Sequence, residues 1–479
     1  MTGGHSLFSA VCAALAPLAR GYPVHSRNVA VLHSPSQFRD VLHNCLAAAR
    51  RRVTLASLYL GAEGPHERQL LSSLAAAAAQ SADMRVSLVL DAHRASRPTG
   101  VDAVTGQPAS CASACAQVLL PAGAAVYLHK RHPLAEVLPH RTREVLGVCH
   151  VKAAVFDDNV LWTGANLSEQ YLTHRQDRYI LIRDSPELAD ATAALLQRMQ
   201  AHSGRLRSDG AVTWPPGSGS SAALAAELRD LLQPADGADT RGVDTQNVAS
   251  ASSAPDTVAY LTMQAGYAGL THDTQCLVAA LGAVAQSAAV GVSTPYCNLA
   301  SAPSTSALLR VLGQQARLHM LTASPGSHAW AGEGSTLKGG ISSKVAPAYA
   351  VLTHKTADAL HRQAAVAGRS ITWREYTSAG RQFHAKGIWV MGNADADAPR
   401  TCAATVVGSS NFGSRSSVRD LEMNCVLATR GEALQQALGA EWASLADQSR
   451  PVTLEQLAAR RRGGGLGGAL VARAAARWM

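Results

Sequence analysis

The sequence carries two histidine-lysine pairs, His150-Val-Lys152 in its first half and His384-Ala-Lys386 in its second. Each is followed by a turn of small residues ending in asparagine, Thr163-Gly-Ala-Asn166 and Gly408-Ser-Ser-Asn411, and an acid lies eleven positions beyond each asparagine, Asp177 and Glu422. In a chain with 18 histidines one such pair would read as surface charge, whereas two copies with a matched asparagine and acid point to a site. The residue types suit phosphoryl transfer. One imidazole can attack phosphorus, the other can protonate the leaving oxygen, and two ammonium groups with two amides can hold the equatorial oxygens where charge collects. That inventory calls for no metal and no cofactor. An acid five residues after the lysine is present only once, as Asp157, and Met391 stands in its place in the second half. A polar insertion from Gly392 to Cys402 holds Asp395 and Asp397, the nearest substitutes for that carboxylate.

These side chains need a frame. Residues two apart on a strand face the same way, so each histidine is expected beside its lysine on one strand, in an apolar setting supplied by Val151, Ala153 and Val155, and by Ile388, Trp389 and Val390. The same alternation points Cys149 away from His150 and into the core. Between Asn28 and Ser203 apolar strands are predicted over Val29 to Leu32, Val53 to Leu58, Val86 to Leu90, Ala125 to Leu128, Ala153 to Phe156 and Tyr179 to Ile182, with helical runs between several of them. The second half repeats the order. Ala288 to Pro295, Ala316 to Thr322 and Ile371 to Tyr376 match the strands that begin at Val53, Val86 and Ala125, and the H-x-K strand follows in each. An internal duplication of this kind predicts an α/β fold of two similar lobes, each a mixed sheet flanked by helices, related by a pseudo-two-fold axis with the site between them. The expected divisions are an N-terminal extension at 1–27, lobes at 28–203 and 257–450, a Gly/Ser/Ala-rich linker at 204–256 with one helix near Ala222 to Leu232, and a basic tail at 451–479.

A length of 479 residues, 47% hydrophobic and 16% charged, excludes a disordered chain. The formal charge of +9 suits an acidic partner without choosing among anionic lipid, nucleotide and nucleic acid. Basic clusters occur at Arg50 to Arg52, Lys130 to His132, Arg141 to Arg143, Arg460 to Arg462 and Arg473 to Arg477. The last two flank a glycine-rich apolar stretch ending in Trp478, a tail suited to an anionic membrane surface. No stretch approaches the roughly 20 apolar residues needed to span a bilayer. The nine cysteines are scattered, with no C-x-x-C, so reduced thiols are expected. The first 22 residues lack acids but carry only Arg20, which makes a weak mitochondrial presequence.

The paired motifs resemble the phospholipase D superfamily and, within it, the eukaryotic-type phosphatidylglycerophosphate synthases. Segments carrying that resemblance span nearly the whole chain in order: Val31-Leu-His-Ser-Pro35, Leu55-Ala-Ser-Leu-Tyr-Leu-Gly61, Leu90-Asp91 with Arg94 and Arg97, Gly164-Ala-Asn-Leu-Ser168, Arg175-Gln-Asp-Arg-Tyr179, Leu321-Thr-Ala-Ser-Pro325, Phe383-His-Ala-Lys-Gly387 and Arg419-Asp-Leu-Glu422. The family likewise keeps the acid of its first motif and relaxes it in the second. The resemblance implies transfer of a phosphatidyl group from CDP-diacylglycerol to sn-glycerol 3-phosphate through a phosphohistidine, releasing CMP, at the mitochondrial inner membrane and without a cofactor. Catalysis would fall to His150, Lys152, Asp157, His384 and Lys386, with His150 favoured as nucleophile although the residues alone do not order the two histidines. Asn166 and Asn411 would hold phosphate, Asp177 and Glu422 would orient the imidazoles, and Arg94, Arg97, Arg175, Arg178, Arg415 and Arg419 are candidates for binding the acceptor's own phosphate.

Other readings are weaker. The loop Gly61 to Arg68 lacks the Gly-Lys-Ser/Thr ending of a P-loop, and the D-G-x2-A-R signature of metal-dependent CDP-alcohol phosphotransferases is absent. A hydrolase acting on phospholipid or nucleic acid would use the same side chains with water as acceptor, and the family-specific segments argue against it and against a nucleic-acid partner. A non-catalytic lipid-binding module would not need both histidines, both lysines and both asparagines. The sequon Asn166-Leu-Ser168 falls inside the proposed site, which argues against glycosylation. Nothing in the sequence sets an oligomeric state.

Overall fold

The computed structural model describes residues 2–101, 108–130, 144–216, 221–234, 254–328, 345–392 and 401–463. Eight strands recur in the same spatial order in each half. In the first lobe they run Gly204–Leu206, Ala125–His129, Arg85–Asp91, Arg52–Ser57, Ala153–Phe156, Asn159–Thr163, Tyr179–Ile182 and Val29–Leu32. In the second they run Ser449–Pro451, Ser370–Tyr376, Arg317–Ala323, Ala288–Ser293, Gly387–Gly392, Cys402–Gly408, Glu422–Thr429 and Thr257–Gln264. Both sheets are mixed in the same way: Arg52–Ser57, Arg85–Asp91 and Ala125–His129 lie parallel, as do Ala288–Ser293, Arg317–Ala323 and Ser370–Tyr376, and the remaining neighbours are antiparallel. Parallel neighbours need a crossover, and helices supply it, Pro65–Ala78 in the first lobe and Ser306–Gly313 in the second.

Strand alternation builds three apolar layers. In the Ala153–Phe156 strand, Ala154 and Phe156 face the helices Pro35–Ala48, Pro65–Ala78 and Cys111–Val118, while Ala153 and Val155 face the other lobe. In the equivalent Gly387–Gly392 strand, Ile388 and Val390 face outward to the second lobe's helices, and Trp389 and Met391 face inward. The inner faces of both sheets, with helices Pro186–Ala201 and Glu432–Asp447, share one core between the lobes.

Several expected boundaries are corrected. The N-terminal residues are not an extension. Helix Thr2–Leu15 packs Leu7, Phe8, Val11 and Leu15 into the outer core of the second lobe, each such burial contributing about 1.5–3 kcal/mol. Strand Gly21–Val24 then pairs antiparallel with Thr257–Gln264, adding a ninth strand to the second sheet, before the chain passes to Val29–Leu32 in the first. Residues 204–213 belong to the first lobe, because Gly204–Leu206 and Val212–Thr213 extend its sheet. The linker helix spans Ser221–Leu232 and seats Leu224, Ala225, Leu228 and Leu232 in the shared core. Val452 and Leu457 return the chain to the second lobe's outer core before helix Leu454–Gly463 ends. The remaining tail, the insertion holding Asp395 and Asp397, and the cluster Arg141 to Arg143 lie outside the described residues.

Candidate active site

The H-x-K segments are not inside the ladders as expected. Each is an extended lead-in, with His150 and Lys152 ahead of Ala153–Phe156 and His384 and Lys386 ahead of Gly387–Gly392. Their backbones pair with the opposite lobe instead. The His150 N–H donates to Leu421 O at 2.8 Å, and the His384 N–H donates to Gln176 O at 2.8 Å. Leu421 precedes Glu422 and Gln176 precedes Asp177, so this crossed pairing delivers each acid to the other lobe's histidine. His150 Nδ1 lies 2.9 Å from Glu422 Oε2, and His384 Nδ1 lies 2.6 Å from Asp177 Oδ2. Each anionic carboxylate accepts a hydrogen bond from Nδ1–H, which leaves a lone pair on Nε2 of each neutral ring. Both lysines turn back on their own segments, Lys152 Nζ to His150 O at 2.7 Å and Lys386 Nζ to His384 O at 2.7 Å. Lys386 also bonds Asp177 Oδ2 at 2.9 Å and Gly164 O at 3.1 Å. A side chain at Gly164 would start 2.5 Å from Asp177 Oδ1 and 2.6 Å from Lys386 Nζ, which accounts for the glycine in that turn.

The site is buried and its formal charges balance, two lysines against two carboxylates. Burial, with Lys152 and Lys386 nearby, holds both imidazoles well below their usual range. Desolvation lowers Lys386 and pulls Lys152 down to about 7, while Asp177 and Glu422 oppose it. The same loss of water raises Asp177 and Glu422, against the attraction of Lys386 and Lys152 respectively. A bound phosphate would add the negative charge that brings both lysines back toward the cationic form. Asn166 and Asn411 each hold an amide oxygen with no partner in the protein, at matching places in the two halves. The arrangement therefore offers two imidazole lone pairs, two ammonium groups and two amides around one cleft.

The remaining predicted residues divide. Asp157 is not in the cleft. It follows Ala153–Phe156, seven residues and roughly 20 Å of extended chain from His150. There, at φ 52°, its carboxylate accepts from the backbone N–H groups of Arg50, Arg51 and Arg52 at 2.8, 2.8 and 2.9 Å. It fixes the turn into the Arg52–Ser57 strand, and Met391, its counterpart, is core between the lobes. Arg178 is structural as well: it pairs with Glu441 at 2.5 and 2.9 Å, donates to Val406 O and Thr405 Oγ1, and covers Trp389 at 3.8 Å, which engages four of its five N–H groups within the protein. Arg94 and Arg97 share Glu144 at 3.3 Å, and Arg415 donates to Glu144 O and pairs with Asp420. Arg175 lies over Tyr171 at 4.5 Å and bonds Gln170 and Gln382, on the His384 side of the cleft. Arg419 is half-buried after helix Ser414–Val418. Sequence reasoning missed Ser409 and Ser416, whose hydroxyls donate to Glu422 at 2.5 and 2.7 Å, and Tyr171, whose hydroxyl lies 3.1 Å from His384 Nε2. Tyr171 and Ser416 each stand five residues after the motif asparagine, so aligning the two halves would have drawn attention to both.

A family profile described as "Cardiolipin synthase, PLD-like domain" matches residues 42–200. The chain is 31% identical over 460 residues to the Gallus gallus protein named "CDP-diacylglycerol--glycerol-3-phosphate 3-phosphatidyltransferase, mitochondrial", covering 88% of this chain and 78% of that one. It is 30% identical to the Homo sapiens protein of the same name, over 88% of this chain and 77% of that one. A Saccharomyces cerevisiae protein whose name omits "mitochondrial" is 29% identical, over 90% of this chain and 84% of its own. Among solved structures, the phosphatidylserine synthase of Haemophilus influenzae superposes with a TM-score of 0.71 at 16% identity, covering 98% of this chain and 99% of that chain, which shows a shared fold.

Proposed function

The chain belongs to the family of CDP-diacylglycerol--glycerol-3-phosphate 3-phosphatidyltransferases, and on that premise we propose how its cleft moves a phosphatidyl group from CDP-diacylglycerol to sn-glycerol 3-phosphate. The observation that carries the reading is the crossed arrangement of two histidines on two opposite-lobe carboxylates in one cleft. His150 Nε2 attacks the phosphatidyl phosphorus and the bond from phosphorus to the CMP oxygen breaks, while His384, which takes up a proton at Nε2 from solvent as the anionic substrate binds, gives that proton to the departing oxygen. Glu422 receives the Nδ1–H of the phosphohistidine and balances its charge. In the second half-reaction the glycerol hydroxyl gives its proton to His384 and attacks phosphorus, and the P–N bond returns its electron pair to His150. Lys152, Lys386, Asn166 and Asn411 hold the non-bridging oxygens.

Arg175 is the cation we assign to the acceptor's phosphate. Its partners Gln170 and Gln382 line a cavity of about 560 Å³ together with Arg381, and Gln382 stands two residues along the chain from His384, the group that is to meet the acceptor hydroxyl. Arg94, Arg97 and Arg415, gathered on Glu144, we assign to an anionic group on the His150 side. No helix among the described residues is long and apolar enough to cross a membrane. We assign a peripheral position on the mitochondrial inner membrane, in keeping with the word "mitochondrial" in the names of the vertebrate relatives.

The test is to incubate the purified protein with CDP-diacylglycerol in EDTA, with and without sn-glycerol 3-phosphate, and to follow CMP and lipid beside a His150→Ala control. CMP release that depends on acceptor and yields phosphatidylglycerophosphate is expected. Phosphatidic acid formed without acceptor would replace the transferase with a hydrolase, and absence of any turnover would leave a lipid-binding module.

A further inference from the structure

The duplicated halves differ at one position that touches a reacting atom. Five residues after the motif asparagine, the first half has Tyr171 and the second has Ser416. Ser416 acts behind the imidazole, donating to Glu422 at 2.7 Å. Tyr171 acts in front. It is 2% exposed, its ring stands edge-on to His384 with centroids 5.0 Å apart, and its hydroxyl lies 3.1 Å from Nε2. Lys386 Nζ also lies 2.6 Å from His384 Nδ1, but its three N–H groups are matched by His384 O, Asp177 Oδ2 and Gly164 O, so Nδ1 donates to Asp177 and the phenol donates into the Nε2 lone pair. Arg175 stacks on the tyrosine at 4.5 Å and fixes the ring. Among the described residues no hydrogen bond reaches Nε2 of His150, and the His150 side chain is the more open of the two, 11% exposed against 5%.

We propose that Tyr171 assigns the two histidines their roles: by occupying the Nε2 lone pair of His384 it holds that imidazole as the proton carrier and leaves His150 as the nucleophile. This rests on the transfer reading above. A lone pair that already accepts a hydrogen bond is a poorer nucleophile toward phosphorus. It remains a competent proton acceptor, because the hydroxyl can rotate and present its own lone pair to Nε2–H, or yield its place to the substrate oxygen. The groups facing His384 are Asp177 and Lys386 at its back, Tyr171 and Arg175 from the first lobe, Tyr296 at its edge, and His150 and Lys152 across the cleft. Of these only Tyr171 meets Nε2 among the described contacts, so its hydroxyl can be removed without disturbing the carboxylate or the lysine.

Two readouts test the proposal. The first traps the phosphatidyl-enzyme with phosphorus-labelled CDP-diacylglycerol, without acceptor, and maps the label. Wild-type enzyme should carry it at His150 alone, His150→Ala should carry none, and His150→Ala with Tyr171→Phe should regain label at His384. The second is the pH profile of kcat/KM. Donation by the phenol favours neutral His384, so Tyr171→Phe should raise that group's pKa and displace the alkaline arm upward by roughly half to one pH unit, the size of one hydrogen bond, with the acid arm unmoved. Phenylalanine keeps the ring and its contact with Arg175. 3-Fluorotyrosine at 171, a stronger donor of the same shape, should move the alkaline arm the opposite way. An unmoved alkaline arm in both variants, or label on His384 in the wild type, would overturn the role of Tyr171 alone. Wild-type enzyme that releases no CMP would overturn the transfer reading and the role with it.

Discussion

The first lobe's histidine and the second lobe's histidine occupy equivalent positions in the lead-ins to equivalent strands, but their supports differ. Glu422, behind His150, takes hydroxyl hydrogen bonds from Ser409 and Ser416, both of its own lobe. Asp177, behind His384, is instead tied to Lys386 by an ion pair across the lobe boundary and receives the backbone N–H of Arg178. His384 is thereby locked at both ends, by Asp177 and Tyr171, whereas among the described residues His150 is locked only at its back. Duplication supplied two similar half-sites, and it is to the differences between them that we assign the division of nucleophile from proton carrier.

Replacing the histidines should split the halves most widely. On the proposed assignment His150→Ala removes the attacking atom, and CMP release should fall by about 10⁴-fold or more, while His384→Ala should slow it by about 10²–10⁴ and still allow a phosphatidyl-enzyme to accumulate. Rapid quench of a single turnover separates the two. Exchanging the acids for amides comes next. Asp177→Asn strands the Lys386 ammonium in a buried site and should cost about 3–5 kcal/mol in urea unfolding. Glu422→Gln has no direct ion pair to break and should cost less. An equal loss would show that the two supports are equivalent after all. Arg178→Ala leaves Glu441 unpaired between the lobes and should also cost about 3–5 kcal/mol, with kcat per folded molecule little changed. Last, Asp157→Asn weakens a turn that is partly exposed, so about 1 kcal/mol of stability and no more than about a twofold change in kcat are expected. A large loss of kcat there would return the acid of the first motif to the chemistry.

The strand order and the identity of the half-sites were legible because buried strands read as apolar runs between turns, and because the order occurs twice. Histidines, lysines, asparagines and acids could all be named from spacing. Their pairing could not. His150 and Glu422 lie 272 residues apart, His384 and Asp177 lie 207 apart, and only the docking of the lobes decides which acid meets which ring. Arg178 read as a substrate cation because charge in a motif looks the same whether its partner is a phosphate or a distant Glu441. Asp157 read as catalytic because it sits in the motif, although strand length carries it to the wrong end of the sheet. The N-terminal helix read as a detachable leader because its apolar face is matched only by side chains far along the chain.

That last arrangement has a consequence in time. The segment Thr2 to Val24 has its partners in Thr257–Gln264, His272–Val284 and Cys402–Gly408, which are made much later. At ribosomal rates of about 5–20 residues per second, an interval of roughly 10–50 s separates synthesis of the Gly21–Val24 strand from that of its neighbour Thr257–Gln264. For that interval the face of Leu7, Phe8, Val11 and Leu15 has no native surface to cover it, while the chain beyond Val29 can already be forming the first sheet. The nascent protein thus presents an apolar helix well before it can fold that helix away, and anything that recognises such a helix during synthesis has only this window in which to act.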